Sequence, residues 1–192
     1  MSVVSSRLAS SSSWVEPSNL PNYGDASKIG GNASDEIKQL VSNVLGAYGV
    51  GDSDAFAYDA GRTIKIVEVN VEKNGNKSEA TVLAEVEVSR CHLNGAGVMH
   101  GGCLCFMIDN CASMPLIALG LLEKRNGVGV SQSLNVLFHS PATPGSSIVI
   151  ESSAIVLGGR VMSARCEVYH KTTRKPIASA LLSKMQPAPS RL

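Results

Sequence analysis

The chain is predicted to be an α+β protein in which an antiparallel sheet of about six strands packs on one long central helix. Three observations predict this. Runs of alternating apolar and polar residues flank Asn74-Gly75, the stretch from Gly101 to about Leu122 is almost continuously apolar, and four further strand-like runs follow it.

The elements follow in order. Residues 1–33 are rich in Ser, Asn, Gly and Pro and read as a tail or wrapping segment without a core of its own. Residues 34–59 hold a helix and a linker. Ser34 is the expected N-cap, Asp35 and Glu36 sit in the first turn, and Ile37, Leu40, Val41, Val44, Leu45 and Tyr48 recur at helical spacing up to Gly49. A main domain over 60–186 comes next, with Asn74-Gly75 as a two-residue hairpin turn. Ala80, Val82, Ala84, Val86 and Val88 alternate with polar residues, so one face of their strand is buried. The apolar helix ends near Asn126-Gly127, and strands are expected over 128–138, 147–157, 160–170 and from Lys175-Pro176 to Met185. Residues 187–192 form a short tail.

Composition narrows the function. A chain of 192 residues with 44% hydrophobic and 17% charged residues supports one folded domain. A net charge of +1 and 4% aromatic residues leave no basic field or stacking platform, so no nucleic-acid partner is expected. The apolar run is long enough to span a membrane, but Asp109 falls near its centre and half-wet strands flank it, so a buried helix is expected and no span. The five cysteines follow neither a disulfide framework nor a zinc-ligand spacing, so no metal or cofactor is expected. The Ser-rich start, with Arg7 and no acid in its first fifteen residues, suits either a transit peptide or a plain tail, and lacks the apolar segment of a secretion signal. An intracellular location follows, in cytoplasm or mitochondrion.

The chemistry concentrates in Asn94-Gly95-Ala96-Gly97-Val98-Met99-His100-Gly101-Gly102 and in Asp109. Two glycines opening a long helix leave first-turn N–H groups uncovered at the positive end of the helix dipole, where they can hold an anion or a carbonyl oxygen turning anionic. They serve equally well for tight packing of loop on helix. Asp109 calls for a stronger explanation, because a carboxylate among Leu104, Phe106, Met107 and Ile108 needs a partner. It is either a structural acid bonded to Asn110 or a backbone donor, or a group that attacks an acyl carbon or activates water.

Spacing adds a constraint. Asp109 lies about 12 Å along the helix from Gly101, at roughly 1.5 Å per residue. For both to act on one carbonyl, they must come from two copies of the chain, with antiparallel helices across a two-fold axis.

These residues, with Val130-Ser131, Asn135 and Ser140-Pro141-Ala142, resemble the hotdog-fold acyl-CoA thioesterases of the phenylacetic-acid-degradation and human thioesterase-superfamily-member type. The resemblance covers roughly residues 60–186. It implies a five- to six-stranded antiparallel sheet wrapping a central helix, a homodimer as the active unit, and dimers paired into tetramers. It also implies an acyl-CoA substrate, with Asp109 as base or nucleophile and the Gly101 N–H as oxyanion donor. Asn94 would position water or the aspartate, His100 would orient the thioester, and Ser131 would help hold the water. Gly102, Asn110 and Asn135 are expected at the substrate. Pro115 is expected to kink the second half of the helix. The added helix from Ser34 is expected on the outer sheet face or over the pocket mouth. A hotdog dehydratase or hydratase, or a non-catalytic acyl-CoA-binding protein, are the alternative functions.

Overall fold

A computed structural model describes residues 15–75 and 77–186. The Ser-rich first fourteen residues and the last six lie outside the described residues, and with them the expectations of a transit peptide and of a C-terminal tail.

Helix α1 (Asp35–Leu45) begins as its sequence dictates: Ser34 Oγ accepts the Ile37 N–H at 3.3 Å, with Asp35 and Glu36 at the positive end of the dipole. It stops short of the expected Tyr48. The chain widens into a turn at Gly46–Val50, where Tyr48 leaves helical geometry and Gly49 adopts φ 96°. That left-handed backbone suits glycine. A single-turn helix α2 (Tyr58–Gly61) leads into the sheet.

Strands β1 (Lys65–Asn74) and β2 (Lys77–Glu87) form an antiparallel hairpin. Asn74 pairs with Lys77, so it closes β1 instead of forming the turn with Gly75 as expected. Helix α3 (Gly101–Leu122) follows, then β3 (Val130–Phe138), β4 (Ser147–Leu157), β5 (Val161–His170) and β6 (Pro176–Met185). All neighbours are antiparallel, in the order β1-β2-β4-β5-β6-β3, so β3 forms one edge of the six-stranded sheet.

The inner face carries the core. Ala80, Val82, Ala84 and Val86 of β2 meet Ile148 and Ile150 of β4, Met162, Ala164, Cys166 and Val168 of β5, and Ala178, Ala180 and Leu182 of β6. Helix α3 lies on this face against β2, β4 and β5. The α1 helix covers its other side rather than the outer sheet face, which was one of the two places expected for it. Enclosure on both sides explains the missing polar face of α3: Met107, Ile108, Met114, Leu116 and Ile117 are all wholly buried. The helix has the length and apolarity of a membrane span, yet most of it is buried inside the domain. Pro115 does not end it. One backbone bond is lost there, and α3 still runs unbroken to Leu122. Beyond α3, Gly127 lies so close that a Cβ would stand 2.0 Å from the Leu116 carbonyl oxygen.

Candidate active site

Asp109 lies in the first half of α3 and is only half-buried. Its partner is neither Asn110 nor a backbone donor. Ser131 Oγ donates to Asp109 Oδ1 at 2.6 Å, which joins the edge strand to the central helix.

Strand geometry does not offer this contact by default. Successive side chains of a strand face opposite ways, and Leu134 and Val136 of β3 pair with the inward-facing Leu182 and Ala180. Continued alternation would turn Ser131 outward. The register shifts between Ser131 and Ser133, so Gln132 is an extra residue and Ser131 pairs with Lys184. This β-bulge aims the hydroxyl at α3.

A second layer lies behind the pair. Lys184, only 3% exposed, continues the inward row of β6. Its ammonium donates to Ser113 Oγ at 2.8 Å and approaches Ser131 Oγ at 3.5 Å. Ser113 Oγ donates in turn to the Asp109 carbonyl oxygen at 2.7 Å. The Tyr48 ring sits 5.0 Å from the Lys184 ammonium, and among the described residues no protein group satisfies its buried hydroxyl. Burial lowers the Lys184 pKa, an effect that the Asp109 charge opposes. Burial and the same carboxylate push the Tyr48 phenol far up. Lys184, Ser113 and Tyr48 were not anticipated from sequence. The alternation Ala178, Ala180, Leu182, Lys184 was the available signal, since it puts a lysine on an apolar face.

The start of α3 is built differently. His100 is its N-cap, and its Nδ1 accepts the Gly102 N–H at 2.9 Å. In a neutral ring the proton is then on Nε2. The Gly102 N–H is thereby occupied, and the Gly101 N–H, at the first helical position, has no intrahelical acceptor. A Cβ on Gly101 would stand 3.3 Å from the Phe138 ring. Beside it opens a cleft of about 360 Å³ lined by Met99, Gly101, Leu104, Phe138 and Ile177. Asn94 Oδ1 accepts the N–H groups of Ala96, at 2.9 Å, and Val98, at 3.3 Å, and so shapes the loop before the helix.

Two further expected substrate residues stand apart from the Asp109 carboxylate of their own chain. Asn110 is buried and donates to the Phe106 carbonyl oxygen at 2.8 Å, spending its amide on its own helix. Asn135 pairs with the exposed Leu181 and lines an outer-face cleft with Arg165 and Glu167, on the opposite sheet face from Asp109. Neither meets the carboxylate. Among the described residues, no three His, Cys, Asp or Glu side chains are grouped to hold a metal.

Comparison with known proteins agrees with this frame. The thioesterase superfamily model matches residues 96–177. Human acyl-coenzyme A thioesterase 13 is 32% identical over 103 residues, covering 54% of this chain and 71% of that protein. The chain belongs to the thioesterase superfamily. The mouse protein of the same name is 31% identical over the same length. Among solved structures, zebrafish thioesterase superfamily member 2 superposes with a TM-score of 0.61 at 22% identity, covering 77% of this chain and 96% of that one. The E. coli PaaI protein of the phenylacetic acid degradation operon gives 0.56 at 18%, covering 77% and 94%. Both have the six-strand-and-helix hotdog architecture described above. As a thioesterase-superfamily member, this protein is a thioester hydrolase.

Proposed function

We propose that the protein hydrolyses a fatty or aryl acyl-CoA to the free acid and CoA. The observation that carries this reading is the Asp109 carboxylate, set in an apolar helix with Oδ1 held by Ser131. Oδ2 is then left to face the substrate. Acting as base, it takes a proton from water as the water oxygen attacks the thioester carbon. The carbonyl oxygen becomes anionic and accepts the Gly101 N–H; collapse breaks the C–S bond, and the departing thiolate takes up the proton. Acting as nucleophile, Oδ2 attacks the thioester carbon, the C–S bond breaks to release CoA thiolate and an anhydride forms. Water opens the anhydride to the free acid and the carboxylate, and the water's other proton goes to the thiolate. Asn94 positions the water and the His100 Nε2–H orients the thioester in either route.

The site needs two chains. Gly101 and Asp109 of one α3 stand about 12 Å apart along the axis, too far to act on one carbonyl. A homodimer brings Asp109 of one copy to Gly101 of the other, and dimers pair further. Support comes from the β3 edge, where Val130 is 44% and Phe138 56% exposed. An open apolar strand edge is a surface that associates. Five unpaired cysteines favour a reducing, intracellular setting.

The test is release of CoA thiol from a panel of short-, medium- and long-chain and aryl acyl-CoAs, trapped by a chromogenic disulfide. Asp109→Asn should lower kcat by at least about a hundredfold. Tight acyl-CoA binding without turnover by the unmodified protein would instead mark a binding protein.

A further inference from the structure

We infer that Lys184 is a positioning residue for the hydrolytic aspartate, fixing which way the Ser131 and Ser113 hydroxyls point so that both donate to Asp109. The inference rests on the assignment of Asp109 as base or nucleophile and deepens it.

The argument is one of proton counting. An ammonium carries three donors and no acceptor. Lys184 Nζ lies 2.8 Å from Ser113 Oγ and 3.5 Å from Ser131 Oγ, so each serine oxygen faces a group that can only give. Each hydroxyl must then spend its own proton elsewhere. Ser113 gives its proton to the Asp109 carbonyl oxygen at 2.7 Å, and Ser131 to Asp109 Oδ1 at 2.6 Å. One lysine thus orders two serines, and the two serines grip one residue by its main chain and its side chain. Without the ammonium either hydroxyl is free to rotate, and Ser131 Oγ could accept from water instead of restraining the carboxylate.

Packing alone does not account for a lysine at this place. It is 3% exposed on the inner face, in line with Ala178, Ala180 and Leu182, where an apolar residue would pack at lower cost. It makes no direct ion pair with Asp109 within 4.0 Å; the charge acts through the serines. The Tyr48 ring, 5.0 Å away, closes its remaining side. Burial that disfavours the ammonium is tolerated where a carboxylate behind a hydroxyl needs an ordered donor.

The experiment compares full-length Lys184→Met, Lys184→Gln, Ser131→Ala and the double variant Ser131→Ala/Lys184→Met with the unmodified protein in the CoA-release assay, with Asp109→Asn as control. Lys184→Met should reduce kcat about tenfold, the scale of one hydrogen bond to a charged group. KM should change by less than about twofold, and the urea midpoint should not fall. Glutamine keeps an N–H donor and should recover part of kcat. In the Ser131→Ala background, the same lysine change should cost less than about threefold, because the hydroxyl it orders is gone. An unchanged kcat for Lys184→Met overturns the inference. So does a loss confined to KM, an equal tenfold loss in both backgrounds, or failure of both lysine variants to fold. If Asp109→Asn itself keeps turnover, the proposed function falls first. If it loses turnover while Lys184→Met does not, only the role of the lysine falls.

Discussion

Ser131 and Asp109 are 22 residues apart in sequence and 2.6 Å apart in the fold, and the contact requires Gln132 to stand outside the register of the edge strand. A change of one position in β3 reverses which side chains face α3. The site is therefore sensitive to strand register as well as to residue identity.

Deletion of Gln132 tests that dependence. With the surplus residue gone, Ser133 still faces outward and Ser131, now two positions before the inward-facing Leu134, stays opposite Lys184 and faces α3. The variant should fold, because Leu134, Val136 and the β6 pairs keep their places. Its kcat should stay well above that of Ser131→Ala, for which a loss of about tenfold is expected from a lost bond to a charged group. Activity as low as that of Ser131→Ala would show that the bulge itself, beyond the register it preserves, aims the hydroxyl.

Gly101→Pro removes the proposed oxyanion donor without a side-chain cavity. Proline suits the first position of a helix, and His100 already has the extended backbone (φ −67°, ψ 129°) that a residue before proline adopts. A Cβ at 101 meets Phe138 at 3.3 Å, and that ring is 56% exposed and has room to yield. Circular dichroism should stay native while kcat falls about 10²- to 10³-fold. Retention of most of kcat would remove Gly101 from the mechanism.

Mixing separates one-chain from two-chain sites. Gly101→Pro and Asp109→Asn, co-expressed with different affinity tags and purified as verified heterodimers, should regain up to about half the activity of the unmodified dimer, since one of two shared sites is intact. No activity in such heterodimers would contradict the shared site.

Thiol labelling checks the burial pattern. Cys91 is exposed, whereas burial pushes Cys103 up to about 11 and Cys166 up to about 12, and holds Cys111 far above its ordinary value. The thiolate is the reacting form. At pH 7.5 a disulfide reagent should modify Cys91 first. Cys103 should respond as the pH approaches 11, and Cys111 and Cys166 only when the protein unfolds. Rapid modification of Cys166 in native protein would contradict the packing of β5.

Packing behind the site has its own test. Gly127→Ala drives a Cβ to 2.0 Å from the Leu116 carbonyl oxygen, a backbone atom held inside the core. It should lower unfolding free energy by about 1–3 kcal/mol or more, read as a shifted urea midpoint. An unchanged midpoint would mean that the loop after α3 moves freely.

Much of this architecture was legible from alternation and run length. The β2 pattern set its buried face, the unbroken apolar run marked α3, and Pro176 and Met185 bound the last strand as expected. Within the site, Asp109 stood out as a charge in an apolar helix. Features created by tertiary contact were not legible. The Gln132 bulge leaves little local signal, because a surplus residue shows only against a partner strand. The α1 helix was assigned to the outer face or the pocket mouth because its stripe of Val41, Val44 and Leu45 states a need for burial without naming the surface that supplies it. Asn135 and Asn110 were expected at the substrate by resemblance alone; their placement, the first turned to the outer face by strand parity and the second bonded to its own helix, was not legible in the sequence.

The enclosure of α3 also bears on how the molecule is made. The helix leaves the ribosome after β1 and β2, while β4 and β5, which cover much of its surface, have yet to be synthesised. Until they arrive, the nascent chain displays a segment long and apolar enough to be mistaken for a bilayer anchor. Burial of that segment therefore waits on the synthesis of residues 147–170, and until then it is exposed to wrong association.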